Sequence, residues 1–212
     1  MKVRVKICGL TRKEDVQAAV DSGADSVGFI HGFPSSPRNL TANQLATLLA
    51  TPPTGVETVV VTKADSNQEI QSISKEFTPA ALQLYGDLTR IQGLTRSPRI
   101  IGVIRIANSA VPSLAGVENV DSILLDSKSG ESFGGTGKTH DWSVSRKVRD
   151  QLSPKPIILS GGLNPQNVTD AIKAVQPSAV DASSRLESAP GKKDAARIQQ
   201  FIHAARSLEL GD

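Results

Sequence analysis

The chain has 212 residues, of which 38% are hydrophobic and 21% charged, so disorder is excluded and one globular domain over residues 1–212 is predicted. No apolar run of about 18 residues occurs, so a membrane span is not expected, and the N-terminus lacks the pattern of a secretory signal. A single cysteine cannot form an internal disulfide. Together these features predict a cytoplasmic protein. The net charge of +3 comes from dispersed basic residues with only 3% aromatics, which argues against nucleic acid and leaves a small anionic ligand or simple solubility as explanations.

Strand and helix signals alternate along the whole chain without a linker. Short runs of branched apolar residues, typical of strands, precede stretches whose apolar residues recur at helical spacing. The predicted strands cover 3–8, 25–30, 56–62, 80–84, 99–106, 121–126, 156–160 and 178–183. The predicted helices begin near residues 11, 41, 66, 141 and 164, and the others cover about 88–95, 109–115 and 193–208.

Several of these helices carry a recognisable start signal. In a capping box, a side chain before the helix and one three residues later satisfy each other's backbone amides. Thr11–Glu14, Thr41–Gln44 and Ser66–Glu69 have this pattern. Asn164 followed by Pro165 predicts an N-cap with proline at the first helical position.

The alternation predicts parallel strands joined by helical crossovers. Eight such units close into a (β/α)8 barrel, for which about 200 residues is the lower limit. The alternative is an open doubly wound sheet, which needs a glycine fingerprint after the first strand. The segment after the first strand, CGLTRK, has no such fingerprint, so the sequence favours the barrel.

Two chemically active side chains are predicted at strand ends. Cys8 and Asp126 are each the last residue of a predicted strand, and active sites of (β/α)8 barrels lie at the carboxyl ends of the strands. Alternation along the first strand turns Val3, Val5 and Ile7 toward the helices and Cys8 toward the barrel axis. A small buried cysteine and a loop-capping aspartate are the alternative interpretations.

The same alternation points Lys6 and Asp181 toward the axis from the first and eighth strands. A lysine inside a barrel is costly unless it is paired, and these two strands are neighbours in a closed barrel. We therefore expect Lys6 and Asp181 to approach each other. The alternative places Lys6 in water at the lower rim.

The loops after the seventh and eighth strands have the residues of a phosphate site. Gly161 and Gly162 allow backbone amides to close on an anion, and Ser183, Ser184 and Arg185 follow the eighth strand. An ordinary glycine turn is the alternative. GGTGKT at 134–139 is not a nucleotide-binding P-loop, because the first glycine of that motif would fall on Ser132.

Three further features concern the loops. Arg38, on the proline-stiffened loop after the second strand, can donate two parallel hydrogen bonds to a carboxylate, or it is a solvated charge. Residues 127–140 are expected to form a loop over the end of the barrel that holds the strand carboxyl ends. The three histidines show no metal-binding spacing, so no metal is expected.

Taken together, several segments resemble the phosphoribosylanthranilate isomerase family of tryptophan biosynthesis. The resemblance rests on KICGLT, SPR, LLDS, GGTGKTHDW, SGGLNPQNV and VDASS followed by ES, PG and KD, in that order over nearly the whole chain. It implies a (β/α)8 barrel without cofactor or metal, as a monomer or homodimer. The implied reaction is an Amadori rearrangement of N-(5-phospho-β-D-ribosyl)anthranilate to 1-(2-carboxyphenylamino)-1-deoxy-D-ribulose 5-phosphate, the third step of the tryptophan branch from chorismate.

The resemblance also implies roles for individual residues. Cys8 would be the general base, Asp126 the general acid, and Arg38 the holder of the substrate carboxylate. Asp181 would also contact the substrate, and the phosphate contacts would be Gly161, Gly162, Ser183 and Ser184. For this chemistry the pKa values of thiol and carboxyl must move toward neutrality, and Lys6 is expected to favour the thiolate.

The chain departs from the family pattern at three places. Tyr85 stands where the family usually has histidine, and GFIHGFP at 28–34 is less aromatic than usual. Arg185 replaces a glycine; it strains the turn if that position needs a positive φ, and otherwise adds a phosphate contact or widens the accepted substrate.

Two other functions remain open from the sequence. A sugar-phosphate isomerase of histidine synthesis performs a related step but is usually assigned two aspartates, and Cys8 stands where one of them would be needed. A non-catalytic barrel that binds a phosphorylated metabolite would bind substrate without turnover.

Overall fold

In the computed structural model, residues 2–50, 54–63, 66–91, 98–107, 109–127 and 139–208 are described. Eight parallel strands run side by side in chain order. They are β1 (Arg4–Ile7), β2 (Ser26–His31), β3 (Glu57–Lys63), β4 (Ala81–Tyr85), β5 (Arg99–Ile106), β6 (Ser122–Ser127), β7 (Ile157–Leu159) and β8 (Ala179–Ala182). Because β1 pairs with β2 on one side and with β8 on the other, the sheet closes. The predicted (β/α)8 barrel is confirmed and the open sheet is excluded.

The predicted strands agree with the observed ones to within one residue at most ends. This shift matters at two positions, since Cys8 lies one residue beyond β1 and Asp126 is the penultimate residue of β6. The predicted alternation holds in β1, where Val5 and Ile7 belong to the large core. Lys6 and Cys8 face the other way.

Six α-helices occur among the described residues. They are α1 (Lys13–Asp21), α2 (Ala42–Leu49), α3 (Asn67–Phe77), α4 (Trp142–Leu152), α5 (Val168–Val175) and α6 (Ala195–Arg206). Single 3-10 turns follow β4, β5 and β8 at Leu88–Arg90, Val117–Asn119 and Ser184–Leu186. Asn39–Leu40 pairs with β2, and Glu187–Ala189 forms a hairpin with Lys192–Lys193.

Two predicted helices are wrong or incomplete. Residues 109–115 form bends, coil and a turn, and the described residues between β5 and β6 contain one helical turn, Val117–Asn119. The helix predicted over 88–95 is a 3-10 turn at Leu88–Arg90, and its later part lies outside the described residues. Gly116, at φ +78, precedes the second turn, and a Cβ there would lie 2.4 Å from the carbonyl carbon of Leu88. The two short turns therefore pack against each other too closely for regular helices.

The predicted helix starts give mixed results. The Thr41–Gln44 capping box is confirmed, and the Ser66 hydroxyl accepts a hydrogen bond from the Glu69 amide at 3.3 Å. The prediction at Thr11 is wrong, because its hydroxyl donates instead to the Gly191 carbonyl at 2.6 Å and α1 begins at Lys13. Asn164 caps a preceding turn, and α5 begins three residues later than predicted.

Apolar side chains fill two layers. The larger layer lies between strands and helices and includes Val180, Phe201 and Ile202. The barrel interior contains a smaller cluster around Val59, Ile101 and other inward-facing residues. Over the described ranges, no helix is both long enough and apolar enough to cross a membrane.

Candidate active site

A cavity opens at the carboxyl ends of the barrel strands. The nine residues to which the sequence analysis assigns a catalytic or substrate-binding role all line it, contributed by β6, β8 and the segments after β1, β2, β7 and β8. They are Cys8, Arg38, Asp126, Gly161, Gly162, Asp181, Ser183, Ser184 and Arg185. The fold thus brings together residues that are up to 177 positions apart in the chain, from Cys8 to Arg185.

An ion pair lies beneath the cavity. The Lys6 ammonium donates to Asp181 Oδ1 at 2.9 Å, and β1 and β8 place these two residues directly opposite each other. Lys6 is only 3% exposed, so the predicted pairing is confirmed and a solvated lysine is excluded. Asp181 Oδ2 also accepts from the Ser160 hydroxyl at 3.0 Å. Although burial opposes its charge, Asp181 and Cys8 raise the pKa of Lys6 to about 12.

The thiol of Cys8 lies next to this pair but is not ionised by it. Burial raises the pKa of Cys8 above its ordinary value, and the negative charge of Asp181 acts in the same direction. Lys6 and Lys193 act to lower it but do not outweigh burial. The expected shift of the thiol toward neutrality is therefore wrong. The main physical reason is burial, and the charge of Asp181 offsets part of the stabilisation that Lys6 gives to the thiolate.

Asp126 is in the opposite situation. It is 6% exposed, and burial, aided by the charge of Asp181, raises its pKa to about 6. One carboxyl oxygen accepts from the Ser127 amide at 2.9 Å and the other from the Tyr85 hydroxyl at 3.1 Å. The expected shift of Asp126 toward neutrality is confirmed, so a large fraction of this carboxyl is protonated near pH 6.

Tyr85 connects the two sides of the cavity. Besides its bond to Asp126, its ring packs with Cys8 and Val61 and meets Phe33 edge-on, with ring centroids 5.6 Å apart. Burial raises its pKa well above the ordinary value, so the hydroxyl stays a hydrogen-bond donor. The sequence marks Tyr85 as a departure from the family pattern but does not predict this contact.

Arg38 is not a solvated charge. Its Nε and Nη2 each donate to Glu187 at 2.7 Å in a bidentate, buried ion pair. Lys193 donates to the same carboxylate at 2.8 Å. Sequence reasoning missed Glu187 and Lys193 as functional residues, and their only signal was the ES and KD of the family-like segment.

Backbone conformation and close packing explain why glycines follow β7. Gly161 and Gly162 have φ values of +88° and +71°, which favour glycine. A Cβ on Gly161 would lie 2.1 Å from the Ser127 hydroxyl, so the loop passes directly over the end of β6. Arg185 is not among the residues with positive φ, so it does not carry the strain expected of a side chain in that conformation.

A partly buried histidine contacts the end of β6. His140 bonds to the Ser127 hydroxyl at 2.9 Å and to the Ser145 hydroxyl at 2.6 Å, and burial lowers its pKa to about 4. It is therefore neutral near pH 7. Most of the loop predicted over the cavity, residues 128–138, lies outside the described residues.

For metal chemistry, the part of the chain that the structure describes holds no cluster of three or more His, Cys, Asp or Glu side chains suited to an ion. The titratable groups that line the cavity include a thiol, two carboxyls and a phenol, which are groups capable of proton transfer, together with two arginines.

Comparison with known proteins gives a consistent result. The family described as N-(5'-phosphoribosyl)anthranilate isomerase matches residues 5–204. The isomerases of Haloarcula marismortui and Magnetococcus marinus are 36% and 38% identical, over 98% and 100% of this chain and 98% and 99% of theirs.

Solved structures of the same enzyme have the same fold. The phosphoribosylanthranilate isomerase of Thermotoga maritima superposes with a TM-score of 0.81 at 36% identity, over 97% of this chain and all of that one. A structure in complex with reduced 1-(o-carboxyphenylamino)-1-deoxyribulose 5-phosphate gives 0.77 at 33% identity, with the same coverage. The chain therefore belongs to the N-(5'-phosphoribosyl)anthranilate isomerase family.

Proposed function

We propose that this protein isomerises N-(5-phospho-β-D-ribosyl)anthranilate to 1-(2-carboxyphenylamino)-1-deoxy-D-ribulose 5-phosphate, a step of tryptophan biosynthesis. One observation carries the proposal: a thiol, a partly protonated carboxyl, an arginine and two anion-binding loops line one cavity. Family membership supplies the identity of the substrate. We assign the activity to a single barrel domain over residues 1–212 that is cytoplasmic and acts as a monomer or homodimer.

The substrate carries an anion at each end, and the cavity has a matching group for each. The phosphate is assigned to Gly161, Gly162, Ser183 and Ser184, where glycines with positive φ leave backbone amides free to approach an anion. Arg185 lines the same region and adds positive charge. The anthranilate carboxylate is assigned to Arg38. The sugar then lies between these ends, above Asp181.

Asp126 is assigned the first chemical step. Its neutral carboxyl donates a proton to the ring oxygen, the C1–O bond breaks, and the nitrogen lone pair forms a protonated Schiff base. A raised pKa suits this role, because a carboxyl at the ordinary value of about 3.9 would be almost fully ionised at pH 7. Burial at the end of β6 provides that shift.

Cys8 is assigned the second step. As the thiolate, it removes the proton from C2, and the released electron pair forms an enolamine that tautomerises to the ketone. When the enolamine tautomerises, the Cys8 thiol gives its proton to C1 and the Asp126 carboxylate takes the proton of the C2 hydroxyl, so the protons balance and both groups return to their starting states. Lys6, which contacts Cys8 and Asp181, stabilises the thiolate while it is formed.

The two alternatives have less support. A histidine-pathway sugar-phosphate isomerase would use two aspartates, and here a cysteine occupies one of those places. A barrel that only binds a phosphorylated metabolite would not need a carboxyl with a pKa near 6 beside a thiol in the same cavity.

The experiment is complementation of a tryptophan auxotroph that lacks this isomerase, with turnover measured on the purified protein. We expect the wild-type chain to restore growth without tryptophan and Cys8→Ser not to do so. Binding of the substrate without turnover by the wild type would contradict the assignment and support a binding protein.

Arg38→Ala separates binding from chemistry. We expect the Michaelis constant to rise about tenfold or more, because hydrogen bonds to charged groups are lost, while kcat changes less. Arg90→Ala, which removes an exposed arginine outside the cavity, is the control. An unchanged Michaelis constant in Arg38→Ala would exclude the carboxylate contact.

A further inference from the structure

We propose that Glu187 and Lys193 are positioning residues that form a buried charged strut between Arg38 and Ser183, and so fix the distance between the two anion-binding ends of the site. The name charged strut is used for the whole row of hydrogen-bonded side chains, which runs from Arg38 through Glu187 and Lys193 to Ser183. The inference rests on the proposed function, since it concerns how the same substrate is held.

The first contact of the charged strut determines how Arg38 can bind. A guanidinium has five N–H donors, and two of them, on Nε and Nη2, are used by Glu187. The remaining edge, formed by Nη1 and the second hydrogen of Nη2, still offers two parallel donors. Arg38 lines the cavity, so this edge is the one left for a carboxylate. Glu187 thereby fixes the plane of the guanidinium.

The second contact continues to the phosphate end. The side chain of Lys193 has no exposed surface, so it cannot touch a ligand itself. Its ammonium donates to Glu187 at 2.8 Å, and lies 3.2 Å from the Ser183 carbonyl and 3.4 Å from its hydroxyl. Its three hydrogens therefore all have partners, and the position of Ser183 depends on that of Glu187.

A close packing contact completes the arrangement. A Cβ built on Gly9 would lie 2.6 Å from Arg38 Cδ and 2.8 Å from Ser183 Oγ, so both side chains lie against the same glycine. Gly9 follows Cys8 directly. The charged strut therefore places both binding groups relative to the proposed base.

The charges also indicate a role beyond packing. Two cations share one carboxylate, which leaves one net positive charge in the wall of a site assigned to an anionic substrate. Although burial opposes ionisation, Arg38 and Lys193 hold the pKa of Glu187 below its ordinary value. Glu187 thus stays ionised near pH 7, and its charge favours the protonated form of Lys193 against burial, which lowers the pKa of that lysine.

The test is Glu187→Gln, measured by steady-state kinetics and by competitive inhibition with inorganic phosphate. Glutamine has the same shape but keeps one acceptor only, so it cannot hold both cations. We expect the Michaelis constant to rise about tenfold or more while kcat stays within about threefold. We also expect inhibition by phosphate to weaken, although Glu187 does not contact the phosphate end directly.

Two further variants keep the test decisive. Lys193→Met should weaken phosphate inhibition more than Lys192→Met, its exposed neighbour and matched control. Should Glu187→Gln fold poorly, the double variant with Lys193→Met removes one anion and one cation and so limits the cost of an unpaired buried charge. Its Michaelis constant should remain high even with the melting temperature restored.

The outcomes separate the two proposals. An inactive wild-type protein would overturn the proposed function. An active wild type, with Glu187→Gln or the double variant at the wild-type Michaelis constant and phosphate inhibition, would overturn the charged strut alone and leave Glu187 a role in folding only.

Discussion

The two groups to which proton transfer is assigned lie in one cavity but in different environments. Asp126 lies against Tyr85 on the β4–β6 side, and burial has moved its pKa to about 6. Cys8 lies against Lys6 and Asp181 on the β1–β8 side, and burial has moved its pKa away from neutrality. The difference shows that a neighbouring lysine does not by itself activate a cysteine when burial, aided by a nearby carboxylate, opposes the thiolate more strongly.

This contrast has a consequence for the pH profile. The reaction needs protonated Asp126 together with the Cys8 thiolate, and the pKa of the acid lies below that of the base. Near neutral pH, fewer than about one molecule in a hundred holds both groups in the required state. Below about pH 6 the rate should rise tenfold per pH unit. Between the two pKa values it should be flat, because the loss of acid cancels the gain of thiolate.

The largest effect is expected from replacing either of the two groups, Cys8 or Asp126. We expect Cys8→Ser and Asp126→Asn each to lower kcat at least about 100-fold, as for positioned acid–base groups. Both variants should still bind the product, as judged by calorimetric titration. Turnover like the wild type in either variant would exclude its assigned role.

Replacing Lys6 tests the environment of Cys8, the assigned base. Lys6→Met leaves Asp181 buried without its cation, so the free energy of unfolding should fall by about 3 kcal/mol and kcat should also fall. Lys6→Met combined with Asp181→Asn should recover much of the stability but not the activity. Denaturant unfolding measures the first effect, and a single variant as stable as the wild type would contradict it.

Replacing Asp126 should have the opposite effect on the free energy of unfolding. A carboxyl whose pKa is raised by folding stabilises the protein below its unfolded pKa of 3.8, and this contribution is lost as the pH rises through about 6. Asp126→Asn removes that dependence. It should therefore be more stable than the wild type at pH 7, by at most about 3 kcal/mol, with the gain absent below pH 4. A loss of stability at pH 7 would contradict the assigned environment.

The smallest expected effect comes from removing the hydrogen bond that the Tyr85 hydroxyl donates to Asp126. The Tyr85 hydroxyl favours the ionised form of Asp126, so Tyr85→Phe should raise the pKa of Asp126. The break in the pH profile of kcat/KM at this pKa should then move upward by up to about one pH unit. Asp181 and Arg105 also face Asp126 and are unchanged. Phe33→Leu, which alters only the ring packing, should leave the break near pH 6. A break that does not move in Tyr85→Phe would show that the bond is absent in the active protein.

The architecture could be predicted from the sequence because periodicity reports it directly. Alternation placed Lys6 and Asp181 on the same side of neighbouring strands, and their pairing follows from closure of the barrel. Local signals failed where a distant residue competes. Thr11 does not cap α1, because Gly191, 180 residues away, accepts its hydrogen bond.

The residues that line the cavity could be predicted, but its electrostatics only in part, since the Lys6–Asp181 pair and the raised pKa of Asp126 were expected and the raised pKa of Cys8 was not. The sequence identified Arg38 but not Glu187, which lies 149 residues later and reaches it only in the fold. The sequence likewise suggested that Lys6 activates Cys8. The net effect depends on burial and on Asp181, and neither can be weighed without the three-dimensional arrangement.

In the proposed mechanism, Asp126 opens the sugar ring and Cys8 then removes the proton from C2. The most direct measurement is the kinetic isotope effect on kcat with substrate deuterated at C2, compared between Cys8→Ser and Asp126→Asn. We predict a full primary effect in Cys8→Ser, where proton removal limits the rate, and an effect near unity in Asp126→Asn, where ring opening does. Equal effects in the two variants, or the reverse pattern, would contradict the assignment.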